Sequence, residues 1–341
     1  MDKRKIIASL YAILAAVFYA INMPTSKMLL NKVEPTLMAS FLYFGAGLGI
    51  GIMYLFSNSK SEKSKKLTRS DLPYTIGMIL LDIVAPILLM FGLSNTTSAN
   101  ASLLNNFEIV ATSIIAMFIF KEVITKRLWI AIFLITISSM LLSFENLSSL
   151  KFSWGSIFVL LAAVCWGFEN NCTRNISSKN TYEIVMLKGI FSGLGSFIIA
   201  MLIGERIPTV NYIMIVLVLG FVAYGLSIFF YVRAQNELGA AKTSAYYAIA
   251  PFVGTFLSFV FLKEALTLNY IISLFIMLVG SSVIVIDTMI MEHSHMHTHT
   301  FMHTHDGSTH AHTINHTHLH YHFGKNIKHE HFHNKETLVH K

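Results

Sequence analysis

Phe120-Lys121-Glu122-Val123-Ile124-Thr125 and Leu262-Lys263-Glu264-Ala265-Leu266-Thr267 each close a long apolar run with one spacing of Lys, Glu and Thr. The match spreads outward from these endings. Carried backward, the register sets Ser98-Ala99 against Ala240-Ala241 and Ile109 against Pro251. Further upstream Tyr19-Ala20 stands against Trp166-Gly167, and Lys27 against Arg174. The chain therefore reads as two copies of one unit.

The runs between these landmarks fix the class. Hydrophobic residues make up 54% of the 341 positions and charged residues 13%, with a mean hydropathy of +0.60. Soluble domains are less apolar, so a soluble enzyme is excluded. About 17–25 apolar residues cross a ~30 Å hydrocarbon core as a helix. Such windows fall near residues 6–30, 36–56, 73–93, 100–120, 128–144, 154–173, 183–203, 210–232, 241–262 and 268–289. The expected fold is an all-α polytopic membrane protein of about ten transmembrane helices, followed by a flexible tail. Five helices per copy is an odd number, so the second copy enters the membrane from the opposite side and the repeats are inverted. The divisions are 1–144 for the first repeat, 145–152 for an outer linker, 153–289 for the second repeat and 290–341 for a cytoplasmic, His-rich, disordered tail.

Loop charge sets the orientation. With a cytoplasmic N-terminus, fifteen Lys and Arg fall in inner loops and four (Lys32, Lys151, Arg206, Lys263) in outer ones. The positive-inside rule then puts both termini in the cytoplasm of a cell (inner) membrane. The net charge of +7 is explained by topology and anionic lipid, and nucleic acid is not an expected partner. The first helix, polar at Asn22 to Lys27, lacks a small-residue cleavage pattern. Cys165 and Cys172 share one helix two turns apart, too far for a disulfide.

The ten-helix inverted repeat with its paired Lys-Glu-x-x-Thr endings, and Asn105-Asn106-Phe107-Glu108 ahead of the first, resembles the EamA family of the drug/metabolite transporter superfamily over about residues 6–289. Cys165-Trp166-Gly167-Phe168-Glu169-Asn170-Asn171-Cys172-Thr173-Arg174, Leu187-Lys188-Gly189 and Gly239-Ala240-Ala241-Lys242-Thr243 look like a branch whose members also carry His-rich tails. The resemblance implies a carrier of small metabolites. One departure is that Pro35 to Phe56 lacks the Arg carried there by many members, so no substrate contact is assumed at that helix.

Ionisable groups inside a bilayer cost several kcal/mol unless paired, hydrated or useful. Asp82 and Glu108 are expected at similar depth, facing one cavity, as proton-carrying candidates. The other reading of each is a satisfied structural acid. Asn105 and Asn106 suit a polar ligand or, equally, hydrogen bonds between helices. Glu169, Asn170, Asn171, Arg174 and Lys188 form a second cluster, read as a gate or part of the site, with Glu169 and Lys188 able to pair. In the bland reading Arg174 is a positive-inside anchor and Lys188 snorkels. Lys27 is read as snorkelling at the outer face. Tyr246 and Tyr247 precede Pro251, where a kink could serve a gate. Trp129 and Trp154 are interface anchors, and Gly45-Ala46-Gly47-Leu48-Gly49 is a stripe for close helix packing rather than a phosphate loop.

All sixteen histidines follow Glu292. His293, His295, His297, His299, His303, His305, His310, His312, His316, His318, His320, His322, His329, His331 and His333 alternate with other residues as candidate ligands for Zn, Ni or Co. No cofactor is otherwise required. A charge-switching tail or a passive tether is the alternative. No nucleophile–base set is visible, so no enzyme is expected. The reading is a secondary carrier, exporting a small polar metabolite by alternating access, coupled to protons through Asp82 or Glu108. Two alternatives stand beside it, namely a divalent-metal or metal-complex exporter collecting cargo on the tail, and a non-transporting metal sensor or scaffold. Expected partners are the lipid bilayer, the substrate, metal ions and, as an option, a second copy in a homodimer.

Overall fold

The computed structural model describes residues 3–56, 66–121, 124–146, 151–176, 179–238, 243, 246–265, 267–305 and 308–323. The body, through Val285, and a C-terminal unit from Ile286 are separate compact units.

Apolar length makes the body helical, because a backbone in hydrocarbon must satisfy its polar groups within the segment. In chain order the helices are α1 (Lys3–Ala20), α2 (Asn22–Leu29), α3 (Pro35–Phe56), α4 (Leu72–Asn95), α5 (Ser98–Leu104), α6 (Phe107–Phe120) and α7 (Lys126–Ser143). A short antiparallel pair, β1 (Phe144–Asn146) and β2 (Lys151–Phe152), leads into the second half. There follow α8 (Trp154–Ile176), α9 (Thr181–Leu202), α10 (Val210–Gly220), a π-helical turn at Phe221–Leu226, α11 (Ser227–Leu238), α12 (Ala250–Leu262) and α13 (Leu268–Met289). Among the described residues nine helical stretches have the length and apolarity to cross a membrane, and Ala250–Leu262 is a shorter apolar helix.

Several spans are broken where the sequence offered one unbroken run. Span one divides at Ile21. Span four breaks at Asn105-Asn106, where Glu108 and Ile109 donate to carbonyls three residues back, at 3.1 Å each, instead of four. The equivalent place in the second copy breaks as well, with Phe252 donating to Ile249 at 3.1 Å. The ninth expected helix, 241–262, is thus interrupted: Thr243, Tyr246 and Tyr247 are helical, a turn follows at Ala248 and Ile249, and the helix resumes at Ala250. Pro251 lies in the first turn after that break, where a missing N–H costs nothing. Both copies end this helix alike. Lys121 (φ 58°) and Lys263 (φ 51°) are left-handed caps, Lys121 donating its N–H to the Ala116 carbonyl five residues back and Lys263 to the Phe259 carbonyl four residues back.

The glycine stripe of α3 lets two helices approach. A Cβ on Gly47 would lie 2.7 Å from the Ile190 nitrogen, and one on Gly45 2.0 Å from the Leu217 carbonyl oxygen. Accordingly α3 packs between α9 and α10, while α4 packs on α8 and α1 on α11. Carboxylates cap two buried helix starts. Glu205 accepts from the Thr36 and Leu37 amides at 3.0 and 2.7 Å. Glu264 accepts from Ser98 and Ala99 at 2.7 and 2.8 Å. Its counterpart Glu122 and the paired Ala240-Ala241 lie outside the described residues. Lys27 donates its ammonium to the carbonyls of Leu93 (2.6 Å), Ser94 (3.2 Å) and Thr96 (2.7 Å) at the end of α4, where a cation suits the unsatisfied carbonyls.

In the C-terminal unit, β3 (Ile290–His305) pairs antiparallel with β4 (Ser308–Phe323). The flexible segment expected from the sequence is thus described over these residues as a hairpin. Histidine at every second position has the period of a strand. The register sets His293 opposite His320, His295 opposite His318, His297 opposite His316 and His303 opposite His310. His299, His305, His312 and His322 occupy the same alternation opposite other residues. His329, His331 and His333 lie outside the described residues.

Candidate functional site

The broken helices meet around a cavity of about 230 Å³. One copy lines it with Tyr19 of α1, Tyr43 of α3, Asn105 and Asn106 at the break, and Glu108 and Ile109 of α6. The other contributes Trp166, Glu169 and Asn170 of α8 and Lys188 of α9. It also supplies Ala223 and Tyr224 of the π turn, Ile228, and Tyr247, Ala248, Ala250 and Pro251 around the start of α12. The register that aligns the two Lys-Glu endings pairs Asn105 with Tyr247, Asn106 with Ala248, Glu108 with Ala250 and Ile109 with Pro251. Tyr19 and Trp166 are equivalent as well. Equivalent positions therefore face one space, and that space lies between the copies.

A charged bridge stands against it. Lys188 Nζ is 2.9 Å from Glu169 Oε1 and 3.0 Å from Asp82 Oδ2. Tyr43 donates its hydroxyl to Asp82 Oδ1 at 2.8 Å, and Thr173 donates to Glu169. The two acids are 0% and 2% exposed, so the Lys188 ammonium is what makes their burial tolerable. The register that pairs Tyr19 with Trp166 makes Asn22 equivalent to Glu169, and the register of the Lys-Glu endings makes Tyr224 equivalent to Asp82. Asn22 donates to the Tyr224 hydroxyl at 3.0 Å. The two equivalent pairs thus differ, the neutral one bonded directly and the two acids joined through Lys188.

Glu108 is held differently. It accepts from Asn170 Nδ2 at 2.6 Å, and Asn170 also reaches Thr112 Oγ1 at 3.3 Å. Asn105 Nδ2 donates to the Tyr19 hydroxyl at 2.9 Å. The Asn105 Oδ1 and Asn106 Nδ2 atoms are buried without a hydrogen-bond partner. An orphan acceptor and an orphan donor on a cavity wall are what a polar ligand would satisfy. Four tyrosines form a continuous aromatic surface here. Tyr43 and Tyr224 have ring centroids 5.4 Å apart, and Tyr19 lies 5.9 Å from both Tyr224 and Tyr247.

Of the residues singled out in the sequence, Asn105, Asn106, Glu108, Glu169, Asn170, Lys188 and Tyr247 line the cavity. Asp82 does not share its wall with Glu108 as expected, because the bridge to Lys188 and the Tyr43 hydroxyl set it one layer behind. Asn171 is turned away and donates to the Thr112 and Gly167 carbonyls at 3.1 and 2.8 Å, which fastens α8 to α6. Arg174 is exposed near the end of α8, and Tyr246 is 39% exposed. Neither lines the cavity. Tyr19, Tyr43, Tyr224 and Trp166 line it but were not singled out as site residues. The repeat held a usable signal for two of them, since Tyr19 aligned with Trp166. Among the described residues no group of three His, Cys, Asp or Glu is placed to hold a metal ion.

Comparison with known proteins places this architecture. The sequence matches the EamA-like transporter family over residues 6–144 and again over 153–286. An uncharacterized transporter of Methanothermobacter thermautotrophicus is 24% identical over 287 residues, 79% of this chain and 83% of its own length. The uncharacterized transporter YyaM of Bacillus subtilis is 23% identical over 253 residues, 72% of this chain and 82% of its own. A solved crystal structure shares the fold with a TM-score of 0.60, at 16% identity, over 81% of this chain and 94% of that one.

Proposed function

The chain belongs to the EamA-like transporter family, and from that premise we propose that it carries a small polar metabolite across the cytoplasmic membrane by alternating access, outward, with both termini in the cytoplasm. The observation that supports this reading best is the cavity between the two copies, walled by broken helices and bearing unpartnered polar atoms. Inverted repeats that share one site near their interface can expose it to either side by rocking one half against the other. At about 230 Å³ the cavity is smaller than the roughly 300–1,000 Å³ of drug-sized sites, which suits a compact cargo.

Proton coupling falls to Glu108 in this reading. Asp82 is neutralised by Lys188, whereas Glu108 has an amide partner and faces Glu169, Lys188, Tyr19, Tyr224 and Tyr247 across the cavity. A reconstituted-vesicle flux screen tests both parts. Full-length protein and a chain ending at Glu292 are offered amino acids, other small metabolites and Zn, Ni or Co, with and without a pH gradient. Metabolite flux in both proteins supports the carrier. An absence of any metabolite flux sinks it, and pH-driven flux that survives Glu108→Gln sinks the coupling.

One observation favours a second role for the tail. The β3–β4 register brings four His–His pairs directly across the ladder, and imidazole suits Zn, Ni and Co. We infer that the tail holds such an ion and regulates the carrier, since the cavity offers no comparable ligand set. Metal binding by full-length protein that persists unchanged after truncation at Glu292 would refute this.

A further inference from the structure

The charges around the cavity do not balance. Lys188 is the only basic side chain among the described residues that line it, and its ammonium is already engaged by Asp82 and Glu169 at 3.0 and 2.9 Å. Glu108 is left with a neutral amide, Asn170 Nδ2, at 2.6 Å. On the same wall stand the rings of Tyr19, Tyr224 and Tyr247, with Tyr19 centred 5.9 Å from each of the other two. Asn105, 6% exposed, offers a buried carbonyl oxygen that accepts from nothing.

We propose that the cavity takes a small organic monocation, a protonated amine or a quaternary ammonium group. Its positive end sits among Glu108, the Tyr19, Tyr224 and Tyr247 rings and the Asn105 carbonyl oxygen. This names the cargo class of the proposed carrier and rests on that reading. Each wall element favours positive charge for its own reason. A carboxylate without a cationic partner supplies one, ring faces attract cations most strongly where water is excluded, and an amide oxygen accepts an ammonium N–H. The unpartnered Asn106 Nδ2 adds a donor for a hydroxyl or carbonyl at the cargo's neutral end.

The same features reject other charge types. A carboxylate cargo, or the carboxylate of an amino acid, would need a free cation, and the Lys188 ammonium is bound by two acids. A divalent metal would need grouped ligands, and the residues described as lining the cavity include no His or Cys and only two acids, Glu108 and Glu169.

The test is direct binding to full-length protein in lipid nanodiscs, by calorimetry. Phenethylamine, phenylalanine and phenylacetate share a ring and differ in charge, and tetramethylammonium is a compact fixed cation. Phenethylamine is expected to bind at least about tenfold tighter than phenylalanine or phenylacetate, and tetramethylammonium to compete with it. Glu108→Gln should weaken phenethylamine by about tenfold or more, as loss of a charged hydrogen-bond partner does. Should Glu108→Gln fail to fold, Tyr247→Leu supplies the reading, with a loss of about fivefold from the missing ring. Failure of every cation to bind, equal binding of the zwitterion or anion, or full affinity in the folded variants overturns the proposal. A cation that binds but is not moved across vesicles overturns the carrier reading alone. Flux of anionic or zwitterionic cargo with no cation binding leaves the carrier and overturns this assignment.

Discussion

Replacing Lys188 by Met removes the one ammonium between two acids that are 0% and 2% exposed. At 2.9 and 3.0 Å, and with an effective dielectric of about 20, each contact is worth roughly 5 kcal/mol of gross attraction. Most of that gross figure offsets the cost of burying three charges, which is several kcal/mol per ion. The quantity that can be measured is therefore the penalty for stranding Asp82 and Glu169, about 3–5 kcal/mol. Equilibrium unfolding in mixed micelles titrated with dodecyl sulfate, followed by helical circular dichroism, reads that loss. The informative control is the triple variant Lys188→Met, Asp82→Asn, Glu169→Gln, which removes all three charges. It keeps oxygen atoms for the Tyr43 and Thr173 hydroxyls, so it should recover most of the stability. A single variant within about 1 kcal/mol of the parent, or a triple variant no more stable than the single, would refute the view that Lys188 is held in place to neutralise these acids.

Helix approach and capping give two further expectations. A Cβ on Gly189 would lie 2.4 Å from the Gly47 backbone, whereas one on Gly51 meets only the flexible Met186 side chain, at 3.5 Å from its sulfur and 3.7 Å from its Cγ. Gly189→Ala should cost about 1–3 kcal/mol by overpacking and Gly51→Ala little, which comparison of their unfolding midpoints checks. Glu264→Ala frees the Ser98 and Ala99 amides that it now accepts from. A loss of about 1–2 kcal/mol and faster hydrogen exchange at these two amides are expected, and unchanged exchange would contradict the cap.

The spans and the duplication were legible because both depend on properties that sequence carries directly. Hydrocarbon thickness fixes the length of an apolar run, and the two Lys-Glu endings sit where a left-handed residue must stop a helix. The breaks were not legible. Ile249 before α12 interrupts a run whose hydropathy does not change there, and the polar Asn105-Asn106 reads as a ligand contact or an interhelical bond as readily as a break; the choice between three- and four-residue hydrogen bonds is made by the neighbouring helices. Acids and amides inside spans could be singled out because hydrocarbon penalises them wherever they face. A tyrosine in an apolar helix suits lipid, core or cavity alike, so Tyr43 and Tyr224 carried no comparable mark.

The repeat also accounts for an ionic bridge that stands at one of two equivalent places beside the cavity. Asn22 and Tyr224 occupy the positions that Glu169 and Asp82 occupy in the other copy, and each pair joins a helix of one half to a helix of the other. Had both places kept acids, one lysine could not have neutralised four buried carboxylates. Had both been neutral, little would favour an ion over an uncharged guest. With one place neutral, the bridge is balanced to within one charge by Lys188, and Glu108 stands apart from it with an amide for company. On the proposed reading, the divergence of two equivalent positions lets a duplicated scaffold favour a cation while keeping the inverted arrangement that alternating access would use.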